Sequence, residues 1–110
     1  MATKVTVIYD TPQDPDAFEA AYADQLALAA GVPGVERLES SKVWPKEDGS
    51  PTPAYRLLDL SFTDYDAANA ATATPEAAAF FASVFELATG GVRIVFADVE
   101  PVTEPTVAAS

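Results

Sequence analysis

Apolar and polar positions along the chain repeat with two periods, and the points where the period changes mark its elements. Val5-Thr6-Val7-Ile8-Tyr9 is β-branched and aromatic, as strands are, and gives way to turn formers between Asp10 and Pro15. From Asp16 to Ala30 helix formers take over, with Phe18 and Tyr22 one turn apart, Pro15 near the first helical position and Gly31-Val32-Pro33-Gly34 as the stop. Val35 to Trp44 returns to alternation. Pro45 to Pro53, with Asp48-Gly49 and three prolines, suits a long exposed loop, and Tyr55 to Phe62 resumes a strand that would pair with the previous one as a hairpin. Asp64 caps a short helix from Tyr65 to about Ala73, and Thr74-Pro75-Glu76 opens a second one through Leu87, where Phe80, Phe81, Val84 and Phe85 form an apolar stripe read as core. Gly90-Gly91 ends it, and Val92 to Val99 is the last strand.

The order is β-α-β-β-α-β, the split arrangement of an α+β, ferredoxin-like domain with an antiparallel sheet and helices on one face. One domain is expected over residues 1–100, with a flexible tail over 101–110 rich in small residues and proline. The third strand shows what the other sheet face requires. Arg56, Leu58, Leu60 and Phe62 share one parity and suit the helix-packed side, while Tyr55, Leu57, Asp59 and Ser61 share the other. That second set is too apolar for water and yet carries a carboxylate. Two such sheets facing each other across a two-fold axis would cover it and enclose a partly polar space, so a homodimer is the expected partner state.

Composition narrows the chemistry. The 110 residues hold 6 basic and 17 acidic side chains, a net charge of −11, with no histidine or cysteine. Zinc fingers, histidine-ligated haem, Ser-His-Asp triads, thiol nucleophiles and disulfides are excluded in the chain as written, leaving only all-carboxylate metal sites. The charge repels phosphate and the six cations form no cluster in sequence, which argues against nucleic acid and anionic membrane surfaces as partners. No apolar run reaches spanning length, and the expected location is the cytoplasm. Gly90-Gly91 and Gly31-x-x-Gly34 lack phosphate-loop or dinucleotide spacing, so no cofactor is expected.

The opening strand, Asp14-Pro15-Asp16-Ala17-Phe18, Tyr22, Leu28 and Pro33-Gly34-Val35, followed by Phe62, Asp64 and Phe80-Phe81, resembles the EthD family of the dimeric α/β barrel superfamily, from about Lys4 to Glu100. The resemblance implies a paired-sheet barrel and a protein of catabolism or oxidative metabolism, a class often called reductases. It also implies a histidine one turn after the helix tyrosine, in a segment Tyr-x-x-x-His-x-x-Leu. Here Tyr22-Ala23-Asp24-Gln25-Leu26-Ala27-Leu28 has none, and one residue inserted between Gln25 and Leu26 would restore the spacing. Two accounts are open: a true deletion, or a non-standard residue that the molecule carries there and the written sequence omits. A deletion rotates all that follows in the helix by about 100°.

Candidate chemistry follows from these readings. Asp59, inside Leu57-Leu58-Asp59-Leu60, is a candidate proton carrier if its face forms a lumen; pairing with Arg37, Arg93 or a hydroxyl at the dimer seam is the structural reading beside it. Tyr22 is a candidate catalytic hydroxyl, or a core aromatic with its hydroxyl at the rim. Tyr9, Trp44 and Tyr55 sit near strand ends, where rings can line a ligand entrance, Trp44 alternatively packing at the dimer edge. Gln25 and Leu26 flank the altered position, and Phe81 is the member of the Phe80-Phe81 pair taken to reach a cavity. Asp14, Asp16, Asp64 and Asp66 are explained by capping. The resulting expectation is a small hydrophobic or aromatic molecule bound in a barrel pocket bordered by Tyr22, the Gln25/Leu26 junction and Asp59, with proton transfer or cofactor-free oxidation as the reaction class. A non-catalytic binding or accessory role stands beside it.

Overall fold

The computed structural model describes residues 1–102; the part of the expected tail beyond 102 lies outside the described residues. Seven elements follow one another: β1 (Thr3–Tyr9), α1 (Pro15–Ala30), β2 (Arg37–Lys42), β3 (Arg56–Phe62), α2 (Tyr65–Thr72), α3 (Pro75–Leu87) and β4 (Val92–Asp98). The strands form one antiparallel sheet in the order β2-β3-β1-β4, the expected ferredoxin-like topology. Strand two is shorter than its sequence pattern, running from Arg37 only to Lys42, because the chain peels off the sheet where the proline-rich loop begins.

Each helix starts as its sequence prescribes. The Asp14 carboxylate accepts from the Ala17 backbone N–H at 3.1 Å, Asp64 from Ala67 at 2.8 Å and the Thr74 hydroxyl from Ala77 at 3.2 Å, while Pro15 and Pro75 occupy first-turn positions where no N–H is needed. α1 packs along α3, and both cover the same sheet face as α2.

The sheet has two unlike sides. Val5, Val7 and Tyr9 of β1 and Leu58, Leu60 and Phe62 of β3 point to the helices and form the buried core with Phe18, Tyr22, Phe80 and Val84. The core reaches its helix boundary at Phe80 and Val84: Phe81 is half-buried, and Phe85, expected in the stripe, is 63% exposed. Phe81 and Phe85 stand at i+1 and i+5 of Phe80, about 100° off the i, i+4 line of Phe80 and Val84 that meets the sheet.

The opposite face carries Lys4, Thr6 and Ile8 of β1, Leu57, Asp59 and Ser61 of β3, and the neighbouring residues of both edge strands. Its central residues are half-buried with no helix over them. Three of the chain's six cations, Lys4, Arg37 and Arg93, and two carboxylates, Glu39 and Asp59, lie on it by register. A chain of net charge −11 thus keeps one face near charge balance.

Candidate functional site

α1 carries the centre of the site on one stripe, Phe18, Tyr22, Gln25 and Ala29, all buried. The helix runs without a break through Gln25 and Leu26, and Leu28 falls off the stripe at 40% exposure. Gln25 therefore takes the inward position at three residues past Tyr22, with Leu26 half-buried beside the core.

Gln25 is 2% exposed and fully engaged. Its carbonyl oxygen accepts from the Tyr9 hydroxyl, and its amide nitrogen donates to the Ser83 hydroxyl of α3 at 3.2 Å. Tyr9 itself is completely buried, so it lines no entrance; the correction follows from its inward parity on β1, which sends its ring against Phe18 at 5.1 Å. Burial pushes the Tyr9 phenol well above its usual value. The group stays neutral and acts as a hydrogen-bond donor only.

Tyr22 stacks on Phe18 with centroids 5.3 Å apart, and its hydroxyl shares a 2.9 Å hydrogen bond with Ser40 of β2. The Arg56 guanidinium lies 4.6 Å from the centre of the Tyr22 ring and binds the Glu19 carboxylate through two nitrogens, at 2.7 and 2.9 Å. Lys42 adds a third contact to Glu19 at 3.2 Å. These bonds, led by that from Arg56, hold the Glu19 carboxyl at a pKa of about 2. Burial raises the Tyr22 phenol despite the bond to Ser40 and the nearby Arg56 charge. The polar cluster is thus a fixed anion between two cations with a neutral phenol beneath it.

Lys42 joins this cluster to a recess of about 560 Å³ under the β2–β3 loop. Its walls include Lys42, Val43, Pro45, Lys46, Pro51 and Tyr55. Tyr55 departs from the alternation expected for it, because the chain bends before β3 begins; its ring meets Phe18 edge-on at 5.5 Å and lies 5.6 Å from the Lys42 ammonium. Of the expected ligand residues, Tyr55 lines this recess. Trp44 sits between two lining residues but is 88% exposed, and Phe81 packs 5.1 Å from Phe80 against the core instead.

Asp59 lies on the other side of the sheet. Its carboxylate accepts from the Thr6 hydroxyl at 2.5 Å and has the Lys4 ammonium at 4.0 Å. The expectation of one pocket bordered by Tyr22, Gln25/Leu26 and Asp59 is therefore corrected: the sheet separates Asp59 from the other two, because residues 56, 58, 60 and 62 of β3 take the helix side and 57, 59 and 61 the open side. A hydroxyl and Lys4, rather than Arg37 or Arg93, are its partners.

Sequence reasoning missed the Glu19–Arg56–Lys42 unit and the two lysines of the recess. A signal existed for the first: Arg56 shares the parity of Leu58, Leu60 and Phe62, and a cation on a core face needs an anion. Among the described residues no group of three or more acidic side chains forms a metal site, and no helix is long and apolar enough to cross a membrane.

No family model matches the chain. It is 37% identical over 100 residues to an uncharacterised 11.0 kDa protein of the thcB–thcC intergenic region of Rhodococcus erythropolis, covering 90% of this chain and 96% of that protein. Among solved structures, an EthD family protein from Bacillus halodurans superposes with a TM-score of 0.83 at 19% identity, over 91% of this chain and all of that one (100%). SnoaB, a cofactor-independent oxygenase from Streptomyces nogalater, gives 0.63 at 19% identity over 94% and 97% of the two chains. A dimeric ferredoxin-like protein of unknown function from Jannaschia sp. gives 0.65 at 18% identity over 90% and 100%.

Proposed function

Because the chain belongs to one family with the Rhodococcus protein, at 37% identity, and shares its fold with an EthD family protein, we propose that it is an EthD-family, homodimeric barrel protein of cytoplasmic catabolism that binds a small hydrophobic or aromatic molecule. The observation that carries this reading is the 560 Å³ recess, of a size that suits a small ligand and walled by Val43, two prolines and the Tyr55 ring together with two lysines and three hydroxyl side chains. The second protomer covers the half-buried open face, whose three cations and two carboxylates make it the least repulsive surface for self-association. Dimeric relatives of the same fold and the cofactor-independent oxygenase among them support a closed barrel and chemistry without a bound cofactor.

In this reading Tyr22, buried and neutral beneath Arg56 and Glu19, acts as a positioning residue that holds Lys42 at the recess wall through that cluster, while Asp59 sits at the dimer seam. A binding role without turnover is favoured by one observation: the helix position next to the expected histidine is filled by Gln25, whose amide has no acid–base capacity and is spent on Tyr9 and Ser83.

Intact mass under denaturing conditions settles whether Gln25 and Leu26 are neighbours; a chain one residue heavier there would restore the acid–base position. Oxygen uptake and product formation are then followed over hydroxylated aromatic compounds. If the reaction takes place in the recess, Tyr22→Phe is expected to leave turnover within a few-fold of wild type, because its buried hydroxyl bonds Ser40 and does not reach the recess; a loss of about 100-fold would instead make that hydroxyl the proton carrier and move the ligand site to it. Loss of turnover in Asp59→Asn alone would move the chemistry to the lumen, and no turnover in the wild type would leave the binding role.

A further inference from the structure

Resting on the recess as the ligand site, we infer that its ligand is an aromatic anion, a carboxylate or phenolate whose charge is met by Lys46 and Lys42 at the mouth of the recess and whose ring lies against Tyr55 and the prolines. The distribution of charge carries this. The chain has 17 acidic residues and only six basic ones, yet two of the six line this one recess and no carboxylate does.

The two lysines are not equivalent. Lys42 is committed to Glu19 at 3.2 Å and stands 5.6 Å from the centre of the Tyr55 ring, so it fixes the wall and supplies field rather than a vacant hydrogen bond. Lys46 has no carboxylate within 4.0 Å among the described residues. Asp48, two residues on, is turned back into its own loop, where it accepts from both the backbone N–H and the hydroxyl of Ser50, at 2.9 and 2.6 Å. The loop carries two acids: Asp48 is occupied within the loop, and Glu47, next to Lys46 in sequence, neither lies within 4.0 Å of its ammonium nor lines the recess, so the loop leaves its cation available.

The surroundings make the choice of charge sharp. At net −11 the rest of the molecule repels anions at long range, so an anionic ligand gains only where cations stand close and acids are held away. A neutral aromatic would use the walls and leave the Lys46 ammonium with water alone. An aliphatic acid would use the ammonium and leave the Tyr55 ring and prolines uncovered.

The test is isothermal titration calorimetry of the full chain with 1-naphthoate and its neutral isostere 1-naphthamide, repeated with benzoate and benzamide, at low salt. The expected result is a preference of about tenfold for the carboxylate of each pair, abolished in Lys46→Gln while that variant still binds the amide as the wild type does. The preference should also shrink in 0.5 M salt, where the screening length is a few Å. Equal affinity for acid and amide, or a preference that survives Lys46→Gln, would overturn the anion inference and leave the recess as a site for neutral aromatics. Failure of all four compounds to bind would overturn the recess reading and the inference with it.

Discussion

Replacing Gln25 strands two groups at once, since its amide is the partner of the buried Tyr9 hydroxyl and of Ser83. Gln25→Leu is expected to cost about 1–3 kcal/mol in urea unfolding, and Tyr9→Phe on top of it to recover part of the loss by removing the unpaired hydroxyl. Glu19 adds a pH dependence. Its carboxyl titrates near 2 in the folded chain against an ordinary 4.5, so its contribution is complete above 4.5 and is lost as pH falls from there through about 2. With the side chain 30% exposed, solvent screening limits that contribution to about 1 kcal/mol. The stability gap between wild type and Glu19→Gln, followed by thermal melts, should close between those pH values; a gap unchanged at pH 2 would contradict the ion pair. At this scale the sequence exposed Asp59 and Tyr22 as unusual, because each stands in an apolar setting. It hid the pairing of Glu19 with Arg56, 37 positions apart, because nothing local joins α1 to β3.

Among the elements, the turn from α3 into β4 is the tightest joint. A Cβ on Gly90 would sit 1.8 Å from the Thr11 carbonyl oxygen, a backbone atom that has nowhere to go, and Gly91 follows at φ +112°. Gly90→Ala is expected to destabilise the fold by about 3 kcal/mol, read from denaturant midpoints; a loss within experimental error would show that the β1–α1 and α3–β4 connections do not meet there. Elements were the most legible level of this chain. The caps at Asp14, Asp64 and Thr74, the prolines that follow two of them and the alternation of β1 and β3 are local signals and are realised as written. Local pattern misleads where tertiary geometry decides: the apolar stripe on α3 extends in sequence to Phe85, which the fold leaves exposed, and Tyr9 stands at a strand end, yet its parity with Val5 and Val7 turns it into the core. Leu28, at 40% exposure, falls off the α1 stripe of Phe18, Tyr22, Gln25 and Ala29, as its written spacing from Tyr22 predicts.

For the whole molecule, two faces of one sheet divide the labour. The helix side holds the core, the Glu19–Arg56–Lys42 cluster and, at its loop end, the recess that Lys42 lines; the open side, near charge balance in a strongly acidic chain, is the face on which the proposal seats a second copy. The need to cover that face was legible in the mixed parity of Leu57, Asp59 and Ser61, whereas the recess was not, because it is made by a proline-rich loop folding over a strand end and not by any periodic pattern. Ligand location therefore tests the account most directly. In two-dimensional amide NMR spectra of the labelled protein titrated with 1-naphthoate, shifts are predicted at Val43, Lys46, Gly49, Thr52 and Tyr55, with Thr6, Asp59 and Ser61 left in place. Shifts concentrated at Thr6, Asp59 and Ser61 would put the ligand in the lumen between the sheets and contradict the assignment of the recess.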